Sequence, residues 1–329
     1  MALTIIEIMT QYIRPSSDNL KLAIGAILIG VFALALGDAL IKKSNASFVI
    51  WQIFILRSIL TIPLLTFFLK KKTPLHLSEK PPVFWRVLML GLMPKQLFWT
   101  LTRSALLVIM WLLYYMALPK VDLSIAAASF YTLPIFITLF AALFLAERVG
   151  LGGWIAVVMG FCGVLLILRP QAENFNLYAL LPIISAILYA LGMILTRSKC
   201  RDEHPMILSL WMNIVFIFVG IIASLLIFLF QPTEEIQQSN LFLFGDWSPM
   251  NISVWGDMTI LAVALLVGSI GAAIAYQSGP ASTIAIFDFG YVAFAIIWGM
   301  LFFNETLDFI TIIGIIMIVT GGILSTRLN

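Results

Sequence analysis

Four ionisable side chains interrupt long apolar stretches of this 329-residue chain: Asp38, Arg57, Arg103 and Asp288. A charge in the middle of a membrane-spanning segment costs about 2.5–3.5 kcal/mol on insertion scales, so each of the four is a functional candidate. A buried guanidinium can hold a carboxylate or a phosphate through two parallel hydrogen bonds. A buried carboxylate can hold an ammonium group or a proton. These residue types therefore indicate recognition of a charged or polar ligand.

Arg57 is the strongest candidate of the four. It lies nine residues into the second predicted membrane span, residues 48–69, close to the middle of the membrane. Thr61 follows it one helical turn later. We interpret Arg57 as a ligand contact. The alternative is a structural pair with an acid such as Asp38 or Asp288.

Asp288 lies in the ninth predicted span, residues 281–303, on the same helical stripe as Tyr291, Ala295 and Trp298. A carboxylate among aromatic side chains suits proton coupling or the binding of a ligand ammonium group. We therefore count Asp288, Tyr291 and Trp298 among the predicted ligand contacts. The alternative is a structural hydrogen bond to a neighbouring helix.

Asp38 and Arg103 are candidates for coupling or gating. Asp38 precedes Lys42 by four residues, which puts both on one face of the first span, where they could simply pair with each other. Arg103 lies near one end of the third span on the same face as Tyr114. Its guanidinium either lines the mouth of a cavity or reaches out to lipid phosphates.

Glu147 and Glu305 occupy the same position in two similar stretches, each between a pair of apolar runs. One interpretation is that each carboxylate caps the positively polarised N-terminus of the helix that follows it. The other interpretation is a gating role at the two membrane faces.

Tyrosines recur at helical spacing in several predicted spans. Those predicted to line a ligand cavity are Tyr114, Tyr131, Tyr189, Tyr276 and Tyr291. Aromatic rings offer stacking surfaces and can bind cations through their faces. Together they favour an amphipathic organic ligand over a bare ion.

Composition excludes a soluble globular protein. The chain is 62% hydrophobic and 11% charged, whereas soluble domains carry about 25% charged residues. Runs of about 20 apolar residues predict membrane-spanning helices, because backbone groups in lipid must be paired within the element. The first 21 residues predict a short interfacial helix. The ten predicted spans cover residues 22–41, 48–69, 97–118, 123–146, 151–168, 178–197, 206–230, 258–277, 281–303 and 307–325.

The chain also contains an internal repeat. Residues 131–169 align without a gap with residues 289–327, 158 positions later, and nine of the 39 pairs are identical. This predicts two halves of five spans each, residues 22–169 and 177–327. Thirteen of the 19 Lys and Arg residues fall in segments that are cytoplasmic if the N-terminus is, and four fall in the opposite segments. Both termini are therefore predicted to be cytoplasmic, and an odd number of spans per half inverts one half relative to the other.

These stretches resemble a known family. The motifs that carry the resemblance are FLAERVGLGGWIAVVMGFCGVLLI, FGYVAFAIIWGMLFFNETLDFITIIGIIMIVTGGI, GDALIKK, ILRSIL and TRSALLVIMWLLYYMAL. They are similar to the drug/metabolite transporter superfamily, and to its EamA-type family in particular, over nearly the whole chain from Leu22. ILRSIL is similar to members that carry S-adenosylmethionine or riboflavin. The long loop before the eighth span and the apolar N-terminal extension depart from the family pattern.

The resemblance implies a secondary transporter in a plasma or bacterial inner membrane. Its substrate cavity would lie between the halves and open alternately to either side, without an ATP site. The implied substrate is a small amphipathic metabolite, such as an amino acid or derivative, a nucleoside-like cofactor or a vitamin. A proton or a counter-substrate would be the coupling partner. The alternatives are a broad-specificity drug or metabolite exporter and a non-transporting scaffold or sensor.

An enzyme is not expected. The two histidines, His76 and His204, are far apart in or beside predicted loops, and the sequence shows no Cys/His/Asp cluster and no phosphate-binding glycine loop. We therefore predict no catalytic residue, metal site, cofactor or nucleic-acid partner. The scattered charges also do not resemble the charged ring or filter of a channel.

Overall fold

The computed structural model describes residues 19–44, 48–72, 92–121, 123–168, 177–304, 309–310, 312–314, 316–317 and 320–321. Within these ranges the regular structure is helical and no strand occurs, which confirms the all-α prediction. The helices are α1 (Leu20–Ser44), α2 (Ile50–Lys72), α3 (Leu97–Ala117), α4 (Leu123–Phe130), α5 (Leu133–Phe144), α6 (Leu151–Leu168), α7 (Leu180–Ser198), α8 (Pro205–Phe230), α9 (Glu234–Ser239), α10 (Leu241–Phe244), α11 (Ile252–Ser278), α12 (Ala281–Asp288) and α13 (Gly290–Phe303). The predicted interfacial segment, apart from residues 19–21, and Glu305 lie outside the described residues.

Seven helical segments of the described chain are long and apolar enough to cross a membrane. They are Leu20–Lys43, Ile50–Leu69, Leu97–Ala117, Leu177–Ser198, Pro205–Phe230, Val254–Ser278 and Ala281–Phe303. The predicted fourth span consists of the shorter helices α4 and α5, and the predicted fifth span is α6. The number of ten spans and their orientation stay predictions.

The predicted fourth and ninth spans are both broken helices, and the breaks occupy equivalent positions. Helices α4 and α12 are eight residues long, and both their first and their last residues are 158 positions apart. In the fourth span the cause is Pro134, which lies in the first turn of α5. Its ring would clash with the carbonyl of Phe130, four residues earlier, where α4 ends. The ninth span has Val292 at the corresponding position, so its break was not predicted.

The two halves of the chain are interleaved. Helix α1 packs against α11 and α13, α2 against α8, and α3 against α7, so the most extensive helix contacts join the first half to the second. Glycines allow the closest of these approaches: a Cβ atom on Gly271 of α11 would lie 2.7 Å from the Ala26 carbonyl oxygen and 3.0 Å from Gly30 Cα, both in α1. Small residues at such contacts are typical of membrane helix packing.

The long loop before the eighth predicted span, Gln231 to Asp257, is fixed to the start of α2. The Trp51 indole donates a hydrogen bond to the Leu243 carbonyl at 2.8 Å. The Gln52 amide donates to the Ser248 carbonyl at 2.8 Å and accepts from the Ser248 amide at 3.0 Å. The loop therefore closes over one end of the bundle, with the Trp247 side chain 51% exposed.

Candidate functional site

Two neighbouring cavities lie among the interleaved helices. The first, which we call the basic cavity, is narrow, with a volume of about 30 Å³. Helices α1, α2, α3, α7, α8 and α11 all contribute to it, so both halves of the chain form its wall. Its lining residues are Leu34, Arg57, Thr61, Arg103, Leu107, Met110, Trp111, Tyr189, Met193, Met212, Asn213, Phe216, Leu265, Leu266, Gly268, Ser269 and Ala272.

Arg57 is a buried cation with unused hydrogen-bond donors. The side chain is 2% exposed, and its Nε and Nη2 atoms have no hydrogen-bond partner. The guanidinium carbon lies 4.0 Å from the centre of the Phe216 ring and 5.0 Å from that of Phe54. These ring faces stabilise the charge in part but leave its planar donor edge free for an anion.

Arg103 supplies the second cation of the basic cavity. It is 2% exposed, so it does not reach out to lipid phosphates, which was one of its two predicted placements. Its Nε donates to the Thr196 hydroxyl, and Thr196 in turn donates to the Gly192 carbonyl at 2.8 Å. Arg103 Nη1 has no partner. Two guanidiniums with free donors on one cavity are suited to a carboxylate or phosphate.

The second cavity, which we call the acidic cavity, carries the two carboxylates. It is lined by Val31, Leu34, Asp38, Trp111, Tyr114, Phe130, Tyr131, Leu133, Tyr189, Asp288 and Tyr291. The break between α12 and α13 brings Asp288 and Tyr291 to this wall, while the break between α4 and α5 brings Phe130 and Tyr131.

Tyrosine hydroxyls hold both carboxylates of the acidic cavity. Tyr291 donates to Asp38, and Tyr276 donates to Asp288. The Tyr291 oxygen also lies 3.1 Å from the Tyr114 oxygen. Asp38 Oδ1 is buried and has no hydrogen-bond partner. Asp288 thus makes the predicted bond to a neighbouring helix and also lines a cavity, so both of its interpretations remain compatible with the geometry.

The basic and acidic cavities share part of their walls. Leu34, Trp111 and Tyr189 line both of them. Asp38 and Arg57 are close enough to interact electrostatically, and Tyr115 lies near both. The charged groups of the two cavities are therefore near neighbours.

Glu147 corrects a prediction. It does not cap the helix that follows it; it caps α12, in the other half of the chain. Its Oε1 accepts from the Ala281 amide at 3.0 Å, and its Oε2 accepts from the Ser282 amide at 3.2 Å and the Ser282 hydroxyl at 2.8 Å. The physical reason is that α5 packs beside α12, so a carboxylate just past the end of α5 meets the free amides at the start of α12.

Trp298 lines neither cavity, unlike the other predicted contacts on its stripe. Its ring lies 5.4 Å from that of Phe32, whose side chain is 41% exposed. Trp298 is two helical turns beyond Tyr291, which carries it past the cavity wall toward the end of α13. Lys42 lies with its ammonium group 5.4 Å from the centre of the Phe303 ring.

The sequence reasoning missed Asn213. Its amide donates to the Ser209 carbonyl at 2.9 Å, and the residue lines the basic cavity. The available signal was its polarity within the strongly apolar span α8, four residues after Ser209.

Comparison with known proteins confirms the family predicted from the sequence. The model of the EamA-like transporter family matches residues 21–169 and again residues 176–327. The pseudopaline exporter CntI of Pseudomonas aeruginosa strain UCBPP-PA14 is 24% identical over 311 residues, which cover 94% of this chain and 98% of that protein. A riboflavin transporter of Vibrio cholerae serotype O1 is 27% identical over 65% of this chain and 66% of its own length.

A shorter match is the S-adenosylmethionine uptake transporter of Rickettsia bellii, 29% identical over 29% of this chain and 32% of that protein. Among solved structures, one crystal structure superposes with a TM-score of 0.64 at 16% sequence identity. The superposition covers 92% of this chain and 97% of the other. At this identity the likeness concerns the fold alone.

Proposed function

Because the chain belongs to the EamA-like transporter family, within the drug/metabolite transporter superfamily, we propose that it is a secondary carrier that moves a small amphipathic organic metabolite by alternating access. The relatives are bacterial transporters named for pseudopaline, riboflavin and S-adenosylmethionine. We place the carrier in the bacterial inner membrane.

The proposed architecture has ten spans in two inverted halves, with both termini in the cytoplasm. The repeat in the sequence and the equivalent breaks in the fourth and ninth spans support two homologous halves. Discontinuous helices near a site between inverted repeats are a recurring feature of secondary transporters. Rocking of the halves about such a site would expose it to one side at a time.

The observation that carries the proposal is the basic cavity between the halves. Arg57 and Arg103 are buried there with free guanidinium donors. An unpaired buried donor costs about 1–3 kcal/mol of folding free energy, which a ligand that accepts its hydrogen bond can restore. Apolar and aromatic side chains form most of the remaining wall. This combination favours an organic molecule with an anionic group and an apolar body.

We assign different roles to the predicted ligand contacts and to the coupling candidates Asp38 and Arg103. Arg57 and Arg103 bind the anionic group, and Tyr189 forms a wall of both cavities. Tyr114, Tyr131 and Tyr291 form the aromatic side of the acidic cavity. Asp38 and Asp288 lie there for coupling or for a positive group on the substrate, with Tyr276 orienting Asp288.

A thermal-shift screen of the purified protein tests this function. The panel comprises amino acids and their derivatives, nucleoside-like cofactors and riboflavin-like vitamins. A ligand at 100 times its dissociation constant adds about 2.7 kcal/mol to the free energy of unfolding. We expect at least one metabolite to stabilise the parent, Arg57→Ala to lose that response, and Arg148→Ala to keep it, because Arg148 is exposed beyond the end of α5. A ligand whose effect is unchanged in Arg57→Ala would contradict the assigned site.

A further inference from the structure

We infer that the substrate is dipolar: its anionic group binds Arg57 and Arg103 in the basic cavity, while a cationic amine of the same molecule binds between Asp38 and Asp288 in the acidic cavity. This inference rests on the proposed carrier function and narrows its substrate class. It excludes simple anions and uncharged ring systems as the preferred cargo.

The first observation is the sorting of charge by sign. Among the residues that the structure describes, the basic cavity is lined by two arginines and no carboxylate, and the acidic cavity by two aspartates and no cation. The sorting combines both halves of the chain, since Asp38 comes from α1 and Asp288 from α12. A single molecule with separated charges matches both cavities at once.

The second observation is unused bonding capacity on both sides. Asp38 Oδ1 and two Arg57 nitrogens are buried without a hydrogen bond of good geometry, and so is the Tyr115 hydroxyl, which lies near both residues. A direct ion pair would satisfy both groups. Leaving them apart costs free energy in a low-dielectric interior, and a dipolar ligand would supply the missing partner to each.

The third observation is a shared wall between the cavities. Leu34, Trp111 and Tyr189 line both, so the cavities are neighbours and a molecule that reaches both must lie along these side chains. The acidic end is rich in aromatic rings: Tyr131 stacks on Tyr291 at 4.9 Å, and Phe130 lies 5.3 Å from Tyr114. Ring faces beside carboxylates favour an organic ammonium group through cation–π attraction.

A metal ion fits the acidic cavity less well. Hard cations such as Ca²⁺ take six to eight oxygen ligands. The described part of the chain holds no group of three or more His, Cys, Asp or Glu side chains arranged for a metal. Two carboxylates, each already bonded to a tyrosine hydroxyl, are better suited to one amine.

A set of three matched probes tests the inference: the dipeptide phenylalanylalanine, its N-acetyl form and its C-terminal amide. The free dipeptide carries both charges, while each derivative lacks one. We expect the free dipeptide to stabilise the purified protein with an apparent dissociation constant at least tenfold lower than that of either derivative. In Asp38→Asn the advantage over the N-acetyl form should disappear, whereas Asp246→Asn, in the loop between α10 and α11, should retain it.

The outcomes separate this inference from the carrier function itself. If the dipeptide and its N-acetyl form stabilise the protein equally, and both effects depend on Arg57, the acidic cavity does not bind the amine. The carrier then stands and the dipolar substrate does not. If none of the three probes stabilises the protein, the inference is also overturned, while the carrier function is judged by the metabolite screen.

Discussion

The buried charges of the two cavities make fewer hydrogen bonds than their chemistry allows. Arg57 and Arg103 leave guanidinium nitrogens unpaired, and Asp38 leaves one oxygen unpaired. Such groups lower the free energy of unfolding, because each loses the water that solvated it without gaining a partner. Their position on the two cavities is the basis of the proposed ligand site.

Tyr291 joins Asp38 to Tyr114 through its hydroxyl group. In Tyr291→Phe the ring still stacks on Tyr131, but Asp38 loses its donor, so we expect the free energy of unfolding to fall by about 1–3 kcal/mol. The measurement is the thermal unfolding of parent and variant in one detergent. A Tyr291→Phe protein that unfolds at the parent temperature would show that the Tyr291 hydroxyl contributes nothing to holding Asp38.

The four charged residues of the candidate site could be predicted from the sequence, because a charge in an apolar span is costly wherever it lies. Arg57, Arg103, Asp38 and Asp288 all line one of the two cavities. Their separation by sign could not be predicted, because it depends on how helices from the two halves interleave. Trp298 shows the limit of a helical stripe: it shares a face with Tyr291 but lines neither cavity.

At the scale of elements, the two broken spans and the contacts between halves determine the shape of the site. The first break follows from Pro134, which the sequence shows. The second lies at Phe289, where the ring packs onto Gly160 of α6 and a Cβ atom would clash. No local sequence rule supplies this second break, because Val292 stands where the first half has Pro134.

Glu147 links these elements, because it joins the end of α5 to the start of α12. In Glu147→Gln the amide oxygen replaces only one of the two carboxylate oxygens, so it accepts one or two of the three hydrogen bonds, and the NH₂ group cannot accept the rest. Hydrogen bonds to charged groups contribute about 1.5–3 kcal/mol, so we expect a clear fall in thermal stability. The control is Glu235→Gln on the exposed surface of α9. If both variants unfold at the parent temperature, the cap on α12 contributes nothing to stability.

The close contact between α1 and α11 at Gly271 can be tested by adding a methyl group there. In Gly271→Ala the new Cβ meets backbone atoms of Ala26 and Gly30, so the two helices must move apart. We expect a loss of about 1–3 kcal/mol, as is typical of overpacking. Gly25→Ala, also in α1, is the matched control because a Cβ there has open space around it. The measurement is the thermal unfolding of both variants. A Gly271→Ala protein that is as stable as Gly25→Ala would rule out close packing between the two helices at this point.

The interleaving of the two halves places both cavities at their interface. Both cavities draw residues from each half, and Glu147 connects the halves near one end. The repeat and the composition were sufficient to predict an all-helical membrane protein with homologous halves. They could not predict that Glu147 bonds across the halves, because the partner of a cap depends on which helix packs beside it.

The most direct test of the carrier is substrate counterflow in proteoliposomes, using a ligand identified by the thermal-shift screen. Vesicles loaded with unlabelled ligand should transiently accumulate labelled ligand without ATP when they contain the parent protein. Correctly inserted Arg57→Ala and Asp288→Asn variants should accumulate it at less than a tenth of the parent rate, while Arg148→Ala should match the parent. Accumulation at the parent rate in both Arg57→Ala and Asp288→Asn would contradict the proposed site, and no accumulation by the parent would contradict the carrier.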